Sequence, residues 1–389
     1  MYKTVCLKRG KEESLRRFHP WVFSGAIQRM DDGISEGDVE RVVTHDGEFV
    51  AVGHFQQGSI TVRVLTFRDV LIDAAFWHSR LESALQMRQA IGIADDSENN
   101  TYRLVHGEGD LLPGLIIDVY GATAVMQAHS IGMHVCRKQI AEELVSVMGN
   151  RLSNVYYKSE TTLPFMEPEN GFLVGGSNDN VALENGLKFR VDWLKGQKTG
   201  FFVDQRENRS LLERYAKGKR VLNMFCYTGG FSVYAMRGGA ELVHSVDSSG
   251  KAIELTRQNV AMNFPADPRH EAFCEDAFKY LDKAADYNLI ILDPPAFAKH
   301  RGALHNALKG YTRLNQKAFE KMERGGILFT FSCSQVVTKD HFRNAVFTAA
   351  ALAHRKVRIL HQLHQPADHP INIYHPEGEY LKGLVLYVE

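Results

Sequence analysis

A chain of 389 residues with 46 basic and 46 acidic side chains has no formal net charge, which excludes a global basic field, so any contact to nucleic acid has to come from local patches. Its five cysteines, Cys6, Cys136, Cys226, Cys274 and Cys333, show neither a C-x-x-C nor paired spacing, which argues against a disulfide framework and a structural zinc site and for a reducing compartment. No run approaches the ~18 apolar residues of a membrane span, and Met1-Tyr2-Lys3-Thr4 leads into a charged stretch, so a soluble cytoplasmic protein with no membrane partner is expected.

In chain order, residues 5–66 hold short alternating segments such as Val39-Glu40-Arg41-Val42-Val43 and Ile60-Thr61-Val62-Arg63-Val64-Leu65. Turn signals at Asp32-Gly33, Glu36-Gly37-Asp38 and Asp46-Gly47 separate them, which predicts a small β-barrel or sandwich over 1–70. Residues 71–185 read as mixed α and β: helical spacing over 76–91, a hairpin of 115–120 and 123–126 turning at Gly121, a helix over 132–148 and a strand at 155–157. The third region, 186–389, alternates regularly from Arg220 onward. Strand 220–225, a helix from Gly230, strand 242–246, helix 251–263 and strand 271–274 are followed by strands at 289–292 and 326–329, each preceded by helical sequence. Repeated β-α units predict an α/β fold with a doubly wound, mostly parallel sheet and right-handed crossovers. The last apolar runs, 356–360 and 383–388, follow one another without a helix, which suits an antiparallel final strand. Such an ending resembles the Rossmann-like sheet of methyltransferases that use S-adenosylmethionine.

Ligands of an open parallel sheet bind beyond the carboxyl ends of its strands. Leu222-Asn223-Met224-Phe225-Cys226-Tyr227-Thr228-Gly229-Gly230-Phe231 is a strand, a glycine turn and a helix start, where backbone N–H groups can meet a ligand. Asn223, Phe225, Thr228 and Gly229 are therefore candidate cofactor residues, and the missing G-x-G-x-x-G disfavours a nicotinamide enzyme. Asp247, closing the next strand, can accept from both ribose hydroxyls. Asp276, after the third strand, is placed for the amine of adenine, with Phe278 or Phe225 packing on the ring. Each aspartate alone could equally be a helix N-cap; the ordered set favours a cofactor.

The chemistry concentrates at two strand ends. Run 289–292 stops at Asp293-Pro294-Pro295-Ala296-Phe297, and run 326–329 leads into Phe331-Ser332-Cys333-Ser334. Carbon 5 of a pyrimidine is too weak a nucleophile to attack a sulfonium methyl until a thiolate adds at carbon 6. Cys333 is the candidate thiolate, and Asp293 the group that steadies ring nitrogen 3. The same Asp293-Pro294-Pro295 run, with Phe297 behind it, also occurs in enzymes that methylate exocyclic amines, where no thiol is used. A core cysteine is the commoner fate of a free thiol, although two flanking serines make this position more polar than a core.

Taken with His19-Pro20-Trp21-Val22-Phe23, Leu112-Pro113-Gly114-Leu115-Ile116-Ile117-Asp118, Lys198-Thr199-Gly200-Phe201-Phe202-Val203-Asp204-Gln205-Arg206 and Ala367-Asp368-His369-Pro370, these motifs make the chain resemble the ribosomal RNA large subunit methyltransferase I family across nearly its whole length. The resemblance implies a cytosine carbon-5 enzyme with a PUA domain (1–70), a central α+β domain (71–185) and a Rossmann-like methyltransferase domain (186–389). It implies that Cys333 is the nucleophile, that Asp247 and Asp276 hold S-adenosylmethionine, and that segment 198–206, with Lys198 and Gln205, is part of the cofactor wall. Many cytosine carbon-5 enzymes carry a second cysteine after the proline of the strand-four motif, where this chain has Pro295. RNA affinity is expected from Lys8, Arg9, Lys11, Arg16 and Arg17 beside His19, Trp21 and Phe23, although Glu12 and Glu13 dilute that charge. Because the target base must leave its stack, naked or partly assembled ribosomal RNA is the expected partner; a catalytically silent RNA-binding assembly factor is the alternative of another class, and a homodimer is retained as an option. His361, His364, His369 and His375 lack a metal-binding spacing, so no metal is expected, and His369 is placed in the substrate pocket with Pro294, Pro295 and Phe297.

Overall fold

Residues 2–163, 166, 168–177 and 179–389 are described by the structure, a computed structural model. The chain divides into two compact units: Met1–Gly186 with Val191–Val203 and Ala367–Gly378, and Leu187–Arg190 with Asp204–Pro366 and Glu379–Glu389. Among the described residues no helix is long and apolar enough to cross a membrane.

In the first unit, the alternating segments near the start of the chain form a six-stranded sheet whose spatial order is Trp21–Phe23, Ile60–Thr66, Phe49–Phe55, Val39–Val43, Thr4–Leu7 and Ile27–Met30. Thr4–Leu7 runs parallel to Val39–Val43 and the other neighbours are antiparallel. One face buries Val5, Leu7, Val42, Val62 and Val64, as a period of two requires. A second, five-stranded sheet follows, built on the Leu115–Tyr120/Thr123–Ala128 hairpin and extended by Thr101–His106 on one side and by Asn154–Tyr157 and Gly171–Val174 on the other. Helices Ala74–Ala90 and Ile131–Met148 start on side-chain caps from Asp73 and Ser130 and are joined by Trp77 Nε1 donating to Gln139 at 3.1 Å.

His54 lies fully buried in this unit, stacked on Trp77 at 6.1 Å, and burial followed by the neighbouring Arg63 charge pulls its pKa down to about 4. The unfolded chain takes up that proton near the ordinary 6.5, so the unfolded state binds more protons between pH 6.5 and 4 and stability falls as pH falls through that window. We expect His54→Phe to flatten the acid side of the unit's stability profile, where His54 accounts for about 3 kcal/mol. Urea titrations at pH 7 and pH 4.5 on both proteins measure it; equal acid losses would refute it.

The second unit holds the sheet expected from the β-α alternation. Its strands are β1 Arg220–Met224, β2 Leu242–Asp247, β3 His270–Cys274, β4 Leu289–Leu292, β5 Gly326–Ser332, β6 Val357–Leu363 and β7 Lys382–Val388. Their spatial order is β3-β2-β1-β4-β5-β7-β6, parallel from β3 to β5. β7 inserts antiparallel between β5 and β6, so the final strand of the chain is internal to the sheet and β6 forms its edge. Burial on both faces explains the continuous apolar runs Leu289–Leu292 and Gly326–Ser332. Helices Gly230–Arg237, Gly250–Asn263, Leu304–Lys321 and Lys339–Leu352 connect the strands. β1 stops at Met224, one residue earlier than the sequence pattern predicts, because Phe225 takes a left-handed φ of 57° that no strand accommodates.

Candidate active site

The turn after β1 is built under conformational constraint. Phe225, Tyr227 and Gly229 all have positive φ, at 57°, 46° and 79°, a conformation costly for the two aromatic residues and of a kind that clusters at functional sites. The turn is held from behind by helix Gly250–Asn263: Thr256 Oγ1 donates to the Tyr227 carbonyl at 2.8 Å and Asn259 Nδ2 to the carbonyl of the buried Thr228 at 2.9 Å. Gly229 is the N-cap of Gly230–Arg237, and a Cβ there would stand 2.8 Å from Thr256 Cγ2. Gly229→Ala therefore combines a positive φ with a clash, and we expect a loss of about 1–3 kcal/mol in stability together with weaker cofactor binding. Denaturation and calorimetric titration with S-adenosylhomocysteine check both parts.

Asp247 and Asp276 stand at the carboxyl ends of the neighbouring strands β2 and β3. Asp247 accepts from the Tyr227 amide at 3.1 Å through Oδ2 and from the Ser249 amide at 2.9 Å through Oδ1. Asp276 is exposed and caps Ala277–Tyr280, accepting from the Lys279 amide at 3.0 Å. The N-cap reading and the ligand reading are thus not exclusive, since an ionised carboxylate has about four acceptor positions and these backbone bonds orient it without filling them. Asn223 differs from the other candidates. It lies within β1, 1 % exposed, and its Nδ2 donates to Ser232 Oγ at 2.9 Å, which joins Ser245 and His270 in a buried chain of hydrogen bonds across the first strands. It braces the turn from below. The acceptor-only acids at two adjacent strand ends, beside a turn with no room for a Cβ, fit the nucleoside half of S-adenosylmethionine.

Asp293 and Cys333 follow β4 and β5, which pair in parallel with Leu292 opposite Thr330. Gln205 Nε2 donates to Asp293 Oδ2 at 3.0 Å, and Gln205 is itself fixed by Asn208 Nδ2 donating to its Oε1 at 2.7 Å. Gln205, one of the expected cofactor residues, is therefore connected by the structure to the catalytic candidate. Cys333 is half-buried while Ser332 and Ser334 on either side are buried. Both serines meet one phenol: Ser332 Oγ donates to Tyr311 Oη at 2.9 Å, and Tyr311 Oη and Ser334 Oγ lie 3.0 Å apart. The Ala298 amide donates to Ser334 Oγ at 3.3 Å, linking the loop after β4 to the turn after β5. Phe297 packs on Tyr311 at 4.6 Å and fills the space where Gly310 has no side chain; Pro294 is buried and Pro295 exposed. From β7, the buried Lys382 sends Nζ to the Ser334 carbonyl at 2.7 Å. Neither Tyr311 nor Lys382 is prominent in the sequence. A lysine opening the apolar run 382–388 was the available signal for the second; nothing marks Tyr311 among the residues of its helix.

Lys198 and His369 belong to the first unit. Lys198 Nζ stands over the Phe202 ring at 5.0 Å. His369 is buried beside His106 at 5.0 Å, with its Nδ1 3.0 Å from Asp368 Oδ1, and the Asp368 carbonyl accepts from the buried Arg88 at 2.7 Å. Of the basic residues near the start of the chain, Lys8, Arg9 and Arg17 are exposed, and Arg16 pairs with the exposed Glu48 at 2.6 Å. Phe18 and Phe23 are about half exposed beside them, at 48 % and 47 %. Trp21 donates through Nε1 to Glu108 at 2.8 Å and lies 4.1 Å from the His375 ring. His19, His375 and Glu377 bring ligand-type atoms within 4.8 Å of one another.

Known proteins agree with this architecture. The model of an S-adenosylmethionine-dependent methyltransferase family matches residues 171–374, and that of a PUA-like domain matches residues 5–67. Among solved structures, a Streptococcus mutans protein described as a SAM-dependent methyltransferase superposes with a TM-score of 0.84 at 23% identity, over 98% of this chain and 100% of that one. A second protein, described as a methyltransferase and complexed with SAH, gives 0.85 at 23% identity over 99% of each chain; at such identity both show a shared fold. Among curated relatives, a Shewanella frigidimarina protein named ribosomal RNA large subunit methyltransferase I is 40% identical over 396 aligned positions covering 99% of both chains. One of the same name from Escherichia coli O139:H28 is 39% identical over 99% of both. The sheet order, the constrained turn with its two acids and these full-length relatives lead to one conclusion: the chain is an S-adenosylmethionine-dependent methyltransferase and belongs to the ribosomal RNA large subunit methyltransferase I family.

Proposed function

We propose that the protein methylates carbon 5 of a cytosine in large-subunit ribosomal RNA through a covalent adduct on Cys333. The observation that carries this reading is a half-buried thiol just past the end of β5, in a turn braced by Tyr311 and both flanking serines, on the strand beside the one that ends at Asp293. Bound S-adenosylmethionine supplies the methyl group. The thiolate of Cys333 adds to carbon 6, and the electrons of the 5,6 double bond move to carbon 5, making it nucleophilic. Protonated Asp293, aimed by Gln205, donates to ring nitrogen 3 as charge builds there. Once carbon 5 carries the methyl, its proton leaves to a base, the double bond re-forms, sulfur departs with its bonding pair, and the nitrogen 3 proton returns to Asp293. An inert core cysteine would not need such a polar surround.

The substrate follows from the names of the relatives, whose target is large-subunit ribosomal RNA. We assign RNA contact to the PUA-like part over 1–70, with Lys8, Arg9, Arg16 and Arg17 on phosphates and the exposed Phe18 and Phe23 as stacking surface. Residues 71–185 act as the central domain and 186–389 as the methyltransferase domain. Extruding the base is cheapest in RNA that is naked or partly assembled, and such a substrate places the reaction in the cytoplasm. Incubation with labelled S-adenosylmethionine and ribosomal RNA, then digestion to nucleosides, tests the assignment. Label in 5-methylcytidine supports it. Label on an exocyclic amine moves the reaction to the other use of Asp293-Pro294-Pro295, and RNA binding without label leaves only an assembly factor.

A further inference from the structure

Beyond the nucleophile, we infer that Lys382 is a positioning residue whose ammonium holds Cys333 as a thiolate between turnovers and receives the sulfur's negative charge again when the adduct breaks down. The inference rests on the covalent reading given above. Its basis is the register of β7 on β5, which sets Lys382 opposite Ser332, the residue before Cys333, while Nζ reaches the carbonyl of Ser334, the residue after it. Lys382 thus spans the cysteine from the neighbouring strand. It is 4 % exposed, on a strand otherwise apolar and flanked by strands on both sides, a position where a cation is costly unless an anion accompanies it. One of its three N–H donors goes to Ser334; a carbonyl is a dipole and does not offset the buried charge.

The surrounding charges point to the same partner. Burial lowers the Lys382 pKa to about 8, Cys333 is the foremost group pulling it back up, and Glu379 and Lys339 act in opposite directions. Those last two pair with each other at 2.5 Å, so their net influence is small. Tyr311 also faces the cysteine, and burial raises its pKa, so the phenol stays a neutral donor. Asp293 follows the adjacent strand and, as the protonated acid of the proposed reaction, adds no charge there. An ordinary thiol titrates near ~8.5 and is mostly protonated at neutral pH, whereas a buried cation beside it favours the charged form. The proton lost by Cys333 goes to solvent and Lys382 stays protonated, so the pair enters the reaction as ammonium and thiolate. Sulfur then gives its electron pair to carbon 6 and regains it on elimination.

The test reads sulfur directly and needs no RNA. Iodoacetamide labelling of the full-length protein is followed by peptide mass spectrometry against pH, with the exposed Cys274 as internal reference. In the wild-type chain Cys333 is expected to titrate at least one unit below Cys274. In Lys382→Met its labelling rate at pH 7 should fall about tenfold or more, since each unit of thiol pKa changes the thiolate fraction about tenfold, while Cys274 is unchanged. Lys382→Arg, which keeps the charge, should restore most of the rate. Equal profiles for Cys333 and Cys274 in the wild type overturn the inference even if Lys382→Met does not fold, and so does an unchanged Cys333 rate in folded Lys382→Met. Failure of the covalent reading would appear elsewhere, as methyl transfer by Cys333→Ala.

Discussion

Replacing Cys333 by alanine is expected to reduce methyl transfer to ribosomal RNA by about 10⁴-fold or more while leaving the fold and S-adenosylmethionine binding in place. The size of the loss follows from the chemistry. Without sulfur at carbon 6 there is no route to a nucleophilic carbon 5, so the substitution removes the reaction path rather than one stabilising contact. The structure explains why the protein should survive it. Cys333 is half-buried, and its turn is fixed by bonds from Ser332 and Ser334 to Tyr311 and from Lys382 to the Ser334 carbonyl, which the substitution leaves in place. Methyl incorporation, thermal unfolding and calorimetric titration with S-adenosylhomocysteine separate these effects. Turnover retained within tenfold would exclude the covalent route and favour amine methylation.

Asp293→Asn is expected to lower kcat by about 10²–10⁴-fold, the usual range for a positioned acid or base, with a smaller change in KM. The amide has the shape of the carboxyl but cannot deliver a proton, so binding is preserved while charge on nitrogen 3 goes unstabilised. Gln205 provides an internal comparison. Its Nε2 aims Asp293 from 3.0 Å without itself being the acid, so Gln205→Ala should lower kcat less than Asp293→Asn does. Single-turnover rates for both variants at saturating cofactor measure the split; equal rates for wild type and Asp293→Asn would remove the carboxyl from the mechanism.

Much of the second unit could be read from the chain because period and punctuation agree there. Apolar runs 289–292 and 326–329 end in Asp-Pro-Pro and Ser-Cys-Ser, and their strands are neighbours because a parallel sheet built from successive β-α units places them so. The order of the last three strands was only partly legible. A hairpin-like ending predicts an antiparallel partner, but β7 inserting between β5 and β6 depends on long-range pairing that local pattern does not encode. The site shows the same division. Acids at strand ends are visible as residue types at expected places, whereas Asn223 is carried into the interior by the pleat of β1, and Gln205 reaches Asp293 across 88 residues of sequence. Tyr311 and Lys382 escape for the same reason: a tyrosine in an amphipathic helix and a lysine at the start of a strand acquire meaning only when folding sets them against Cys333. Motifs such as Leu112-Pro113-Gly114 and Ala367-Asp368-His369-Pro370 carry the family resemblance and lie in the first unit, where contacts that the sequence does not announce hold their neighbourhood. Asp118 takes the Arg103 guanidinium through both oxygens at 2.7 and 2.8 Å, and Gly109 has no room for a side chain beside Pro370.

The most direct measurement is trapping on 5-fluorocytosine-substituted ribosomal RNA in the presence of S-adenosylmethionine. Fluorine on carbon 5 cannot leave as a proton does, so the adduct should persist as a protein–RNA conjugate, map to the Cys333 peptide and be absent from Cys333→Ala. A wild-type enzyme that methylates unsubstituted RNA normally but forms no such conjugate, or forms it through another residue, would contradict the account.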